Sequence, residues 1–150
     1  MRAFAKLYLA EEIFDLTHGL SKAWERMAPK VLVVDDDSLM HMLYRKHLEQ
    51  AGFEVLAAKN GVEALEVAAR ESPQVIFMDV MMPELDGLSA LRELKKADAT
   101  KAIPVVVITG NATTYAAARR ESELGGAAGF LSKPFSPAQL LAEVRRLLPS

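Results

Sequence analysis

PKVLVVDDDS, residues 29–38, decides how the rest of the chain is read. Val31, Leu32, Val33 and Val34 make an apolar run too short for a comfortable helix and rich in β-branching. Such a run predicts a strand buried on both faces. It leads straight into Asp35, Asp36 and Asp37. Acids that end a buried strand stand at the rim of a parallel sheet, where open α/β sheets bind ligands. Two carboxylates ~4 Å apart repel by on the order of 4 kcal/mol at an effective dielectric of about 20. The cluster therefore calls for a cation, and oxygen donors of this type suit Mg2+.

Downstream, a strand–helix rhythm repeats. Asp37 or Ser38 can cap a helix running to about Ala51, and Gly52 ends it. Glu54 to Ala58 reads as a second strand, less apolar and nearer an edge, and Asn60-Gly61 as a turn before a helix from Val62 to Arg70. Val75 to Met78 is a third buried strand that ends at Asp79. A loop from Met81 to Asp86 follows, and Gly87 leads into a helix ending near Ala97. Val105 to Ile108 is the fourth strand, ending at Thr109, with an Ala-rich helix over about Thr113 to Leu124. Gly125, Gly126 and Gly129 bracket a break before a short fifth strand, Phe130 to Ser132. After Lys133-Pro134, Ser136 caps a last helix that has Pro137 in its first turn and runs to about Leu148.

Strands alternating with helices imply a parallel sheet covered on both faces. Right-handed crossovers put every strand's carboxyl end on one rim. That rim would then gather Asp35, Asp36, Asp79, Thr109, Ser132 and Lys133.

Upstream of the first strand, Arg2 to Ala28 reads as one amphipathic helix. Leu9, Ile13, Leu16, Leu20, Ala23 and Met27 follow a heptad-like 4-3-4-3-4 spacing. Phe4, Leu7, Phe14 and Trp24 widen its apolar surface, and Gly19 weakens its middle by about 1 kcal/mol. A lone helix gains most of its stability from packing. This one needs a partner: its own domain, a second copy in a homodimer, another protein or a membrane surface. Its polar face is mixed in sign, which suits a membrane least. Pro29 ends it. The chain thus divides into residues 1–28, an arm for dimerisation or docking, and residues 29–150, the α/β domain.

The 150 residues are 51% apolar and 25% charged, as in a soluble globular protein. A net charge of −2 offers no basic footprint for nucleic acid. There are no cysteines, which rules out disulfides, thiol chemistry and a cysteine-ligated zinc and fits the cytoplasm. No apolar run approaches the ~20 residues that a membrane span needs.

The rim residues suit phosphoryl transfer, which asks for positioning and for compensation of oxygen charge. A carboxylate beside a divalent cation can act as nucleophile. Asp79, alone at the end of the central strand, is the candidate. Asp35 and Asp36, paired on an adjacent strand, are candidate metal ligands. Lys133 and Thr109 can hold phosphoryl oxygens, and Gly110 leaves open space and a free N–H beside them.

VLVVDDDS with Asp35 and Asp36, VIFMDVMMPELDG with Asp79, VVVITGNA with Thr109, and GFLSKPFS with Lys133 and Pro134 occur in this order between Pro29 and Pro149. In these motifs the chain resembles the receiver domain of two-component response regulators, the CheY-like superfamily. The resemblance implies an α/β fold, a (βα)5 doubly wound five-stranded parallel sheet of flavodoxin-like order 2-1-3-4-5. It implies that Asp79 is the phosphoacceptor and Mg2+ the cofactor. Asp36, Asp79 and the backbone carbonyl of Met81 would be direct ligands, with Asp35 acting through water. Lys133 would pair with the phosphoryl group, Thr109 would move to hydrogen-bond it, and Phe130 would be the aromatic switch. The bond before Pro134 would be a cis peptide. The implied partners are a sensor histidine kinase or histidine phosphotransfer protein and a downstream protein target.

Phe130 lacks the hydroxyl of the tyrosine found in the chemotaxis example. Met81 and Asn111 occupy positions that tune dephosphorylation in the family, and Met81 would obstruct water and prolong the phosphoryl state. The leading expectation is a stand-alone receiver in which phosphorylation switches partner binding or oligomeric state. The alternatives are a phosphorelay intermediate or phosphate sink without conformational output, a Mg2+-dependent phosphatase, and a constitutive scaffold. Such phosphatases carry a second acid where Met81 stands, so the expectation is a switch and not an enzyme. Asp37 is expected to cap its helix, and His41 and His47 to be structural or surface residues.

Overall fold

The computed structural model describes residues 28–80, 86–110 and 115–148. The arm up to residue 27, the Met81 carbonyl and Asn111 lie outside these residues. The elements alternate strictly: β1 (Lys30–Val34), α1 (Ser38–Gln50), β2 (Glu54–Ala58), α2 (Gly61–Glu71), β3 (Val75–Asp79), α3 (Gly87–Lys96), β4 (Val105–Thr109), α4 (Tyr115–Leu124), β5 (Gly129–Ser132) and α5 (Pro137–Leu147). The strands form one parallel sheet in the order β2-β1-β3-β4-β5. β2, which opens on the exposed Glu54, is one edge of the sheet and β5 the other.

The two-residue period of a strand sends alternate side chains to opposite layers. Val31, Val33, Val75, Phe77, Val106 and Ile108 pack with Tyr44 and Leu48 of α1 and Leu140 and Val144 of α5. Leu32, Val34, Ile76, Met78, Val105 and Val107 pack with Ala64, Val67 and Ala68 of α2 and Ala90, Leu91 and Leu94 of α3. β3 and β4 are buried along their whole length. Each large apolar side chain so buried contributes about 1.5–3 kcal/mol, which fixes the register and therefore the rim.

Local signals set the boundaries. Asp37 caps α1, accepting the Leu39 N–H at 2.9 Å. Gly52 follows α1 at a φ of 95°, where an L side chain would be strained. Asn60-Gly61 is not a free turn. The Asn60 side chain accepts the Glu63 N–H and caps α2, so the helix starts at Gly61. Ser136 and Gln139 form a reciprocal capping box that starts α5, with Pro137 in its first turn.

Candidate functional site

The register assembles the acid cluster. Val34 of β1 pairs with Met78 of β3, so the next residues, Asp35 and Asp79, leave the sheet side by side. Ile108 pairs with Asp79, and Thr109 with Ser132, so Thr109 and Lys133 emerge at the neighbouring strand ends. Backbone bonds hold these ends: Asp35 N–H to Ala58 O at 3.1 Å, Val80 N–H to Ile108 O at 2.9 Å, and Lys133 N–H to Thr109 O at 2.7 Å.

Asp35, Asp36 and Asp79 each place a carboxylate oxygen within 4.8 Å of the others. Their environments differ. Asp35 and Asp79 are buried, at 1% and 6% exposure, while Asp36 is exposed. Asp35 Oδ1 accepts the Asp37 N–H at 2.9 Å. Lys133 Nζ reaches Asp35 Oδ2 at 3.2 Å and Asp79 Oδ2 at 3.1 Å. Burial works against the lysine's charge, but the Asp79 and Asp35 carboxylates outweigh it and hold its pKa above the ordinary lysine value. One ammonium thus spans the two buried acids, and the exposed third is the open side of the cluster.

Thr109 is buried beside these groups. Gly110 is exposed, and a Cβ there would rest on the Lys133 stem at 3.5 Å, an ordinary contact. Phe130 is half-buried and packs on the α2–α3 layer. The Lys133–Pro134 peptide is cis.

Further residues support the site without an obvious sequence signal. The buried Tyr44 lies 6.2 Å from the Phe77 ring and 5.8 Å from the Phe135 ring, centroid to centroid. Burial first, then the Asp35 and Asp79 charges, push its phenol pKa well up, so it stays neutral below the acids. His41 Nε2 lies 2.7 Å from the Asp35 carbonyl oxygen and donates to it in the tautomer that carries hydrogen there, tying α1 to the acid-bearing turn. Its Nδ1 is buried without a partner among the described residues. Gly87 lies so close under the end of β3 that a Cβ would strike the Asp79 carbonyl oxygen and come within 2.9 Å of Val80 Cα. The Gly87 N–H also bonds to Val80 O at 3.1 Å. Asp86, just before it, caps α3 through the Ser89 N–H and hydroxyl.

The arrangement offers hard oxygen donors for a divalent cation and a fixed ammonium facing two carboxylates, one of which ends the central strand. Comparison with known proteins places it. Residues 31–145 match the family model described as the response regulator receiver domain. The chain is 37% identical over 123 residues to the chemotaxis protein CheY of Bacillus subtilis, covering 81% of this chain and 99% of that one. It is 40% identical over 120 residues to the response regulator MprA of Mycobacterium leprae, covering 79% of this chain and half (50%) of the longer relative. Among solved structures, the receiver domain of sensor histidine kinase PA1611 from Pseudomonas aeruginosa superposes with a TM-score of 0.73 at 28% identity, covering 80% of this chain and 97% of that one. That structure has a magnesium ion coordinated in its active-site cleft. The chain therefore belongs to the CheY-like response regulator receiver domains of two-component signal transduction.

Proposed function

We propose that this chain is a phosphorylation switch in which Asp79 accepts a phosphoryl group in the presence of Mg2+. The observation that carries this reading is the Lys133 ammonium spanning Asp35 and Asp79 inside a carboxylate cluster at the strand ends. The donor set fits Mg2+, whose ligands are oxygens and usually include one or two carboxylates. Asp36, Asp79 and the Met81 carbonyl would hold it directly and Asp35 through water. When bound, it supplies positive charge for the phosphoryl oxygens.

The remaining steps belong to the chain's own residues. An Asp79 carboxylate oxygen forms the new P–O bond as the donor's P–N bond breaks, and the leaving imidazole nitrogen takes up a proton. Lys133 exchanges its bond to Asp79 for one to a phosphoryl oxygen. The Thr109 hydroxyl moves onto another, and Phe130 turns inward into the space vacated. Phosphorylation then acts as differential stabilisation of one of two states. The donor is a sensor histidine kinase or a histidine phosphotransfer protein, and the output is a change in partner binding or oligomeric state. Residues 29–150 carry the receiver and residues 1–28 an arm. The chain acts in the cytoplasm, as an acceptor and not as a turnover enzyme. Among the described residues no helix is long and apolar enough to cross a membrane.

Intact mass after incubation with Mg2+ and acetyl phosphate tests the chemistry. One added phosphoryl group on the parent and none on Asp79→Asn is expected. No addition to the folded parent overturns acceptance from a small-molecule donor, and addition to Asp79→Asn overturns the acceptor. Unchanged amide exchange and oligomeric state after phosphorylation would convert the switch into a relay.

A further inference from the structure

Helix α1 presents a row of large apolar side chains to solvent: Leu39 is 62% exposed, Met42 67% and Leu43 45%. Their spacing of three and four residues places them on one stripe. Beside the stripe runs a groove of about 660 Å³ between α1 and the start of α5, with apolar walls from Met40, Leu43, Tyr44, Phe135, Pro137 and Leu140. Single exposed apolar residues need no account. A row of them beside an apolar groove marks a contact surface.

We propose that the arm of the same chain, residues 4–27, lies along α1 and fills this groove, with Leu9, Ile13, Leu16, Leu20 and Trp24 against the stripe. The chain's entry point selects this occupant. Pro29 O accepts the Glu54 N–H at 2.9 Å, and Ala28 borders a cleft with Arg45, Glu49 and Phe53 at the last turn of α1. Ala28, to which the arm is joined, therefore sits at the foot of the helix whose apolar stripe is exposed. Length fits too. α1 is 13 residues, a span of ~20 Å at the helical rise, and residues 9–27 wound the same way cover ~28 Å. A tethered segment acts at an effective concentration on the order of millimolar, which a second copy must compete against. The sequence supplies the chemistry, because the arm's heptad-like apolar seam demands a partner surface and the groove is apolar. Gly110 and Lys133 line the groove as well.

Trp24 is the only tryptophan of the chain, so its emission reports the arm in the full-length protein. The expected result is blue-shifted emission that resists acrylamide and does not change on dilution. Leu39→Glu with Met42→Glu, both at exposed positions, should shift the emission to the red and at least double the quenching constant. Val62→Glu, at an exposed position on α2, should change neither. A quenchable Trp24 in the parent, or equal quenching in parent and double variant, overturns the proposal. Shielding lost on dilution assigns the groove to a second copy and overturns it also. With no native cysteine, a Leu20→Cys, Leu43→Cys protein should form an intramolecular disulfide at low concentration. A Leu20→Cys, Val62→Cys protein should not, and equal yields in the two overturn the proposal. None of these readouts requires phosphorylation, so failure of the phosphoryl chemistry and failure of the docking are separate results.

Discussion

Lys133 and Lys95 are both half-sunk lysines, and they lie at opposite ends of the sheet. Lys95, in the last turn of α3, donates to Lys101 O at 3.2 Å and Ile103 O at 2.7 Å, just ahead of β4. Burial alone pulls its pKa below the ordinary value. Lys133 suffers the same burial penalty, yet the Asp79 and Asp35 charges raise its pKa. Carbonyl oxygens satisfy an ammonium's hydrogen bonds without supplying a net opposite charge, whereas carboxylates do both. The amino end of the sheet is tied shut with neutral acceptors. The carboxyl end is held together by opposite charges, which under the proposed function a phosphoryl group and a cation would redistribute. The same residue type is a neutral rivet at one end and an ion-paired clasp at the other.

Four substitutions test this contrast. Gly87→Ala should have the largest effect, because the new methyl group meets backbone at Asp79 and Val80, which cannot turn aside as a side chain can. A loss of about 3 kcal/mol is expected from urea unfolding, as for overpacking, together with weaker Mg2+ binding. Lys133→Met leaves the buried Asp35 and Asp79 carboxylates uncompensated and should cost about 2 kcal/mol, below the figure for a fully buried pair because the lysine keeps 26% exposure. Added Mg2+ should recover most of that loss, as a ligand that binds only the folded state does. Lys95→Met strands the part-buried Ile103 carbonyl, while water can replace the donor at the exposed Lys101 carbonyl, and should cost about 1.5 kcal/mol. No recovery by Mg2+ and an unchanged yield of phosphoprotein are expected for it. Recovery of the Lys95 variant by Mg2+ would break the contrast.

The smallest effect is at the α3 cap. Asp86→Ala should cost about 1 kcal/mol at neutral pH. Burial opposes the Asp86 charge, but the Ser89 N–H and hydroxyl, the Leu88 N–H and Arg92 outweigh it and hold the pKa below its ordinary 3.8. A depressed folded-state pKa contributes stability that is present above 3.8 and lost as the pH falls through the folded value. The gap between parent and variant should therefore close in acid, which a series of melts from neutral pH to about pH 3 measures.

The strands were legible because each is a short apolar run ending in a polar residue, and that pattern also pointed to the rim. Their order was not contained in the runs, which say only that all are buried; it came from the resemblance. Neighbouring acids also looked alike in sequence and differ in space. Asp35 is buried and bonded on both oxygens, Asp36 faces outward, and Asp37 turns back to cap α1. A run of aspartates cannot announce this division, because burial is decided by the neighbouring strands. Gly87 read as a helix start, but its constraint is the closeness of the β3 end, a distance across a loop. His41 read as a structural or surface residue, and its bond to the Asp35 carbonyl oxygen follows from how α1 leans on the strand end.

The ion pairs at the rim join residues 98 and 54 positions apart in the chain. On a ribosome, Asp35 and Asp36 emerge first, Asp79 later and Lys133 last. A truncated product that stops before β5 can hold the acids but not the ammonium that keeps them together. The ion-paired rim is therefore complete only where β5 lies beside β4 and brings Lys133 to the two acids.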